Sequence, residues 1–332
     1  MCRRSGWRRQ STPQPSPVRL AVFGRRRPAA DATLGAVIAT ATARGHDTVV
    51  LDNADFVSGP VCFWPELGRL QLGDVDVDLA SLDVVLLGPL PSAFARTAPG
   101  HVVLRAEEHD ALQKAQAARH QLAWSIAHDV EARGVPVLSS PSRARPFDFK
   151  PLQLATLARA GVAVATTVIT DHAHERRDDD DDDVITKPVV GGEVVVGARL
   201  TPGVPAIVQP RLRGTQLRLA VVGGCVVAVG AIDLDGDDAG DDAGDDEGVV
   251  DVRRSTQAWR HTPITAALAA LGQRCALLCA FDVCAVDVIA TAGGPVVLDV
   301  NRTPQLMDLA AACDIDVAAA IVDLLERRAR PG

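Results

Sequence analysis

Residues 281–304 read FDVCAVDVIATAGGPVVLDVNRTP. Two apolar runs flank Gly293 and Gly294, which is the pattern of two antiparallel strands joined by a tight turn. Asp287 lies on the first strand, and Asp299 and Asn301 lie two residues apart on the second. Side chains alternate along a strand, so Asp299 and Asn301 share a face, and the turn brings Asp287 opposite them. Two carboxylates and a carboxamide oxygen on one face suit Mg²⁺, a hard cation that takes oxygen ligands and shares them with phosphates. The same three residues also fit a solvated sheet face, and this stretch alone leaves both readings open.

Upstream, hydrophobic periodicity divides the chain. VRLAVF (18–23), DTVVLD (47–52), LDVVLLGPLP (82–91) and VPVLSS (135–140) read as buried strands. ADATLGAVIATATARG and a long segment from Glu107 to Arg133 read as helices between them. Strands alternating with helices predict a parallel sheet. GRRRPAAD (24–31) stands where a dinucleotide fold carries G-x-G-x-x-G and lacks the second and third glycine, which argues against a Rossmann dehydrogenase. FDFKPLQLATLARAG (147–161) reads as a helix stopped by Gly161, followed by strands in VAVATTVIT (162–170) and VITKPVV (184–190). GGEVVVGARL (191–200) reads as a turn and a returning strand. AIVQPRL opens a third unit, with a hairpin turning at Gly223–Gly224, the helix ITAALAALGQRCALL and a final helix DIDVAAAIVDLLERR.

Composition narrows the chemistry. The 332 residues carry a net charge of −8 and a hydrophobic fraction of 47%, enough for a sizeable core. Fourteen acids fall in two runs, Asp178–Asp183 and Asp235–Glu247, and the rest of the chain holds 28 acids against 34 bases. Blocks of like charge repel and do not pack, so both runs read as solvated loop insertions. The second fails the EF-hand pattern: counted from Asp233, the sixth position is Asp238 rather than Gly and the twelfth is Gly244 rather than Glu. His172 and His174 beside the first run read as linker residues. The seven cysteines form no C-x-x-C and read as core residues in a reducing cytoplasm. The basic, Pro/Ser-rich start reads as a solvated tail with no apolar h-region, and no run reaches the roughly 18 apolar residues of a membrane span.

Of the 34 bases only three are lysines, and the chain has only two asparagines, Asn53 and Asn301. Arginine thus serves ordinary surface charge. Lys114 reads as surface, whereas Lys150 opens a helix and Lys187 ends a strand, positions suited to gripping phosphate as compact point charges.

In this order the parts resemble the ATP-grasp superfamily, nearest its ribosomal-protein glutamate ligase (RimK-type) branch, over roughly Val18 to Leu325. FDVCAVDVIATAGGPVVLDVNRTP is similar to that branch's segment ending in E-V-N-x-x-P, FKPLQLATLARAG to its D-K-x-x-x-x-Q-L-L-x-x-x-G helix, and VITKPV to the strand of its second nucleotide lysine. VQPRLRGTQLRLAVVGG resembles its hinge and following hairpin, and DVRRS (251–255) its D-F-R-S segment. The resemblance implies an α/β, α+β architecture of three subdomains: a basic tail at 1–17, a Rossmann-like parallel-sheet unit at 18–145, a central subdomain at 146–206 and a C-terminal subdomain at 207–332, with insertions at 171–183 and 233–248.

The resemblance also implies roles. Lys150 and Lys187 would hold ATP phosphates, and Gln209, Arg211 and Leu212 would lie in the adenine hinge. Arg218 and Arg253 (or Arg254) would face the transferred phosphate or the acyl substrate, and Asp287, Asp299 and Asn301 would hold one or two Mg²⁺, with Mn²⁺ able to substitute. The implied reaction is ADP-forming ligation of a small-molecule or peptide carboxylate to an amine in the cytoplasm, with no nucleic-acid or membrane partner and an assembly compatible with a homodimer. Some residues depart from the pattern. Asp299 replaces Glu, Val194 and Val196 replace lid glycines, and Pro210 replaces the hinge acid. These departures keep two other expectations in play, a degenerate ATP-grasp protein without turnover and an acidic metal-buffering or interaction protein.

Overall fold

The computed structural model describes residues 17–24, 32–91, 106–172, 184–189, 195–197, 200–201, 203–233 and 259–329. The acidic runs, Gly191, Gly192, Val194, His174, Arg253 and Arg254 lie outside them.

The first part of the chain runs β1 (Arg19–Gly24), α1 (Ala32–Ala43), β2 (Asp47–Asp52), α2 (Asn53–Ser58), β3 (Val61–Trp64), β4 (Arg69–Leu72), β5 (Val75–Asp78), β6 (Val84–Leu87), α3 (Ala106–Ala132) and β7 (Val137–Leu138). β2, β1, β6 and β7 form a parallel sheet in that order. All four residues of β6 are buried, as a parallel strand covered on both faces requires. α1 and the C-terminal helix Val317–Arg328 pack on one face through Val37, Ala41 and Leu325, and α3 covers the other through Trp124, Ile126 and Val130. Between β2 and β6 the chain forms an antiparallel meander, β3–β4–β5, which the sequence reading passed over. Leu70, Leu72 and Val77 are buried in the core, with Val61, Phe63 and Val75 packed against it, but the strands are only four residues long, so each carries a short run of alternation.

α4 (Pro141–Ala144) and a 3-10 turn (Arg145–Asp148) lead to α5 (Lys150–Arg159). Pro151 in the first turn of α5 needs no intrahelical N–H partner, and Gly161 follows the helix at φ +75°. The next strands are β8 (Val168–Thr170), β9 (Val184–Pro188), β10 (Val195–Val196) and β11 (Ala206–Pro210). They form an antiparallel sheet in the order β10-β9-β11-β8. β11, expected to open a third unit, is instead paired with β9 and β8. Its burial on four consecutive residues fits an inner strand of that sheet.

The last part carries β12 (Thr215–Val222), β13 (Cys225–Asp233), β14 (Arg260–His261), α6 (Ala266–Leu278), β15 (Val283–Thr291), β16 (Gly294–Asn301), α7 (Met307–Cys313) and α8 (Val317–Arg328). Its five-stranded antiparallel sheet has the order β14-β13-β12-β15-β16. α6 packs on one face over Leu219, Val221, Val286 and Val297, with Cys275 and Cys279 in the contact. The opposite face is apolar only at one end, where Ala220, Ala228 and Ala285 meet Leu309 and Ala310 of α7. β16 is the edge strand, and residues 163–165 run along it: Val297 N donates to Ala163 O at 2.8 Å and Ala165 N to Val297 O at 3.4 Å.

Candidate active site

The polar end of that opposite face holds the candidate site. Arg218 on β12, Asp287 on β15 and Asp299 on β16 stand in one cross-strand row. A β-bulge makes this row. Near the turn, Val288 pairs with Val297, and continuing that register would set Asp287 against Leu298 and turn Asp299 to the other face. Leu298 is instead the extra residue, so Asp287 pairs with Asp299. The bulged Leu298 offers its carbonyl to Lys187 Nζ at 3.3 Å.

Charges of opposite sign are closely paired. Arg218 Nε and Nη2 donate to Asp287 Oδ1 and Oδ2 at 2.7 and 3.0 Å. The Arg218 guanidinium also lies over the Trp259 ring, 5.3 Å from its centroid. Asn301 Nδ2 donates to Asp287 Oδ2 at 3.0 Å, and Lys150 Nζ lies 2.7 Å from Asp299 Oδ2. Lys187 is buried, and this burial pushes its ammonium pKa below the ordinary lysine value. Asp299 pulls it back up, Lys150 pushes it down, and Asp287 again raises it. Among the described residues three cations thus face two carboxylates, an arrangement that suits a polyanion such as a phosphate chain.

The chemistry of the donor set fits Mg²⁺. Asp287 and Asp299 supply hard oxygens, and the Asn301 bond uses its amide nitrogen, leaving the carboxamide oxygen for a cation. Among the described residues no cluster of three or more His, Cys, Asp or Glu is placed to hold an ion. A cation held here would therefore complete its coordination with water and substrate oxygens, as Mg²⁺ commonly does.

The structure brings together Lys150, Lys187, Arg218, Asp287, Asp299 and Asn301. Gln209, expected to meet adenine through its backbone, lies on β11. Its side chain is buried, and Nε2 donates to Thr167 Oγ1 at 2.9 Å, so only its backbone could meet a ligand in the hinge. Arg211 and Leu212 follow β11 in an irregular segment, with Arg211 exposed. Arg253 lies outside the described residues.

Three contacts that sequence reasoning did not single out fix the site. Gln153 of α5 donates to Val300 O at 2.7 Å and to Phe147 O at 2.9 Å, and accepts from Val300 N at 2.9 Å. Asp148 pairs with Arg302, and Lys150 with Asp299. The start of α5 is thereby held in register with the end of β16. The signal for Gln153 was its place four residues into an apolar helix face, where an amide needs a buried partner.

The solved structure of the ATP-grasp ligase PsnB with precursor peptide PsnA2 and AMPPNP superposes with a TM-score of 0.70, covering 94% of this chain and 98% of that one at 21% identity. The fold is ATP-grasp. The macrocyclase MdnC bound with precursor peptide MdnA from Microcystis aeruginosa MRC gives a TM-score of 0.67 over 93% of this ATP-grasp chain and 100% of the other, at 15% identity. Residues 212–325 match the family model of the RimK-like ATP-grasp domain. Part of the chain is also similar to probable alpha-L-glutamate ligases. The protein from Thioalkalivibrio sulfidiphilus is 34% identical over 118 residues, 36% of each chain. That from Stenotrophomonas maltophilia strain K279a is 35% identical over 119 residues, 36% of this chain and 37% of the other. The match thus spans little more than a third of these relatives' length.

Proposed function

We propose that this ATP-grasp chain ligates a carboxylate to an amine with conversion of ATP to ADP and phosphate. The observation that carries the reading is the convergence of Lys150, Lys187 and Arg218 with Asp287, Asp299 and Asn301 on one face of the C-terminal sheet. In the proposed reaction a substrate carboxylate oxygen attacks the γ-phosphorus, and the bond to the β–γ bridging oxygen breaks. The amine nitrogen then attacks the acyl carbon, phosphate leaves with the C–O bond, and the nitrogen loses a proton. Such chemistry depends on position and charge neutralisation more than on a side-chain nucleophile.

Lys150 and Lys187 hold the phosphate chain. An incoming phosphate competes with Asp299 for Lys150, so nucleotide arrival frees Asp299 to take a cation with Asp287 and Asn301. Mg²⁺ there would neutralise charge on the phosphate oxygens. Arg218, backed by Trp259, keeps Asp287 oriented and supplies positive charge beside the transferred group. The peptides bound by PsnB and MdnC support a peptide carboxylate as the acyl substrate. Cys275, Cys279, Cys284 and Cys313 pack as small core side chains, which fits the expected reducing, cytoplasmic setting.

Purified protein with ATP, Mg²⁺ and a panel of amino acids and peptides is expected to release ADP and phosphate. Failure to bind ATP by calorimetry with either Mg²⁺ or Mn²⁺ would remove the reading. A nucleotide-binding protein without turnover is the second reading, favoured by Pro210, which has no N–H to offer in the hinge. The two separate on whether Lys187→Ala lowers a measured turnover.

A further inference from the structure

Arg302 follows the candidate metal ligand Asn301, and its side chain is only 7% exposed. Every part of the guanidinium is occupied. Nε and Nη2 form a fork on Asp148 at 2.9 and 3.0 Å, and Nη1 donates to Leu87 O at 3.1 Å and Gly88 O at 3.3 Å. The group also lies over the Trp124 ring of α3, 5.7 Å from the centroid, and Arg145 lies over the same ring at 4.7 Å.

These partners belong to different parts of the molecule. Asp148 is two residues before the phosphate lysine Lys150. Leu87 and Gly88 end β6, beside β1 at the point where the parallel sheet's order reverses, the crevice in which open sheets bind ligands. Gly88 allows the close approach there, since a Cβ would lie 2.2 Å from Phe23 O. A cavity opens at this place, lined by Leu34, Gly88, Ser139, Arg302, Thr303 and Pro304 among others.

We infer that Arg302 is a positioning residue: it ties Lys150's segment and the Asp299–Asn301 strand to the open end of the N-terminal sheet, so that the sheet end sets the spacing of the nucleotide and metal groups. This rests on the ligase reading for its nucleotide side. Four of the five N–H donors of this guanidinium bond to Asp148, Leu87 and Gly88, and that task needs a planar fork with several donors. Lysine keeps the charge but not the fork.

The test compares Arg302→Lys, Arg302→Met and Asp148→Asn in the full chain. With Mg²⁺ and AMPPNP as the probe, each is expected to weaken binding about tenfold, Lys no better than Met to within about threefold, and the Arg302→Lys/Asp148→Asn double variant no worse than the poorer single one. Wild-type affinity in Arg302→Lys, or additive losses in the double variant, would overturn the inference. A second arm needs no nucleotide. Amide exchange in Arg302→Lys is expected to quicken about tenfold at residues 150–154 and 298–301 while β12 keeps its protection. Unchanged exchange at those residues would also overturn it. A wild-type protein that binds no AMPPNP removes the ligase reading and the nucleotide half of the inference, and the exchange arm then decides the positioning half.

Discussion

Arg218 and Asp287 are direct cross-strand partners on β12 and β15 and share two hydrogen bonds, of 2.7 and 3.0 Å. Both side chains are largely buried, at 18% and 11% exposure, so neither charge is well solvated without the other. Removing one member of such a pair costs about 3–5 kcal/mol when nothing replaces it. Arg218→Met is therefore expected to lose roughly that much stability in metal-free buffer. Millimolar Mg²⁺ should restore part of the loss and raise the variant's Tm more than that of the wild type. Equal Mg²⁺ shifts in the two proteins would show that no ion reaches Asp287.

Lys187 gives the opposite balance. Its charge is held in a buried place, and its pKa is depressed mainly by that burial. Lys187→Met keeps the length and removes the desolvated charge. The nucleotide-free variant is expected to match the wild type in Tm or to exceed it by about 1 kcal/mol of stability, since the buried ammonium carries a desolvation cost that the methionine does not. ADP release should fall by about 10²–10³, the usual loss for a group aimed at transition-state charge. A markedly less stable variant would contradict the desolvation account.

Gln153 is 1% exposed and makes three hydrogen bonds. Gln153→Ala leaves Val300 O without its partner in the interior, while Val300 N keeps Asp299 Oδ1 at 3.0 Å. Urea unfolding should show a loss of about 1–3 kcal/mol with little change in m, because a buried polar group left unpaired carries the full desolvation cost. A loss under ~0.5 kcal/mol, the range of an ordinary surface change, would mean that water replaces the amide.

Burial pushes the Cys275 and Cys279 thiols up to about 12 from an ordinary 9.0. Below pH 9 both the folded and unfolded chains keep these protons. Between about 9 and about 12 the unfolded chain releases them and the folded chain does not, so stability falls as pH rises, by about 1.4 kcal/mol per unit per thiol. The urea midpoint should drop from pH 8 to pH 10, and more steeply in the wild type than in Cys275→Ala/Cys279→Ala. Parallel slopes would assign the alkaline loss to other groups.

Much of this architecture was legible in the sequence because its periodicity is strong. The parallel strands, α3, α5, α6 and both C-terminal hairpins lie where alternation and glycine stops put them. The scarcity of lysine pointed to Lys150 and Lys187 for a related reason: in an arginine-rich chain a retained lysine stands out. The register of the β15–β16 hairpin was not legible. A count outward from Gly293–Gly294 opposes Asp287 to Val300, whereas the turn falls at Ala292–Gly293 and the bulge at Leu298 then sets Asp287 against Asp299. β11 was misplaced because strand pairing is decided by distant partners, here Thr186 and Val168 against Val208. Arg302 was hidden among 31 arginines, since what distinguishes it is burial against Asp148 and two strand-end carbonyls rather than residue type.

The covering of β16 by residues 163–165 and the Gln153 amide has a consequence beyond catalysis. An outermost strand offers unmatched N–H and C=O groups to any neighbouring molecule, and a flat apolar one such as PVVLDV invites stacking of chains into fibres. Here Val297 is matched by Ala163 and Ala165, and Val300 by a single side chain that imitates a peptide unit. The residues that pack along β16 also close its margin to recruitment by other copies, so loss of Gln153 exposes a template for self-association in concentrated solution.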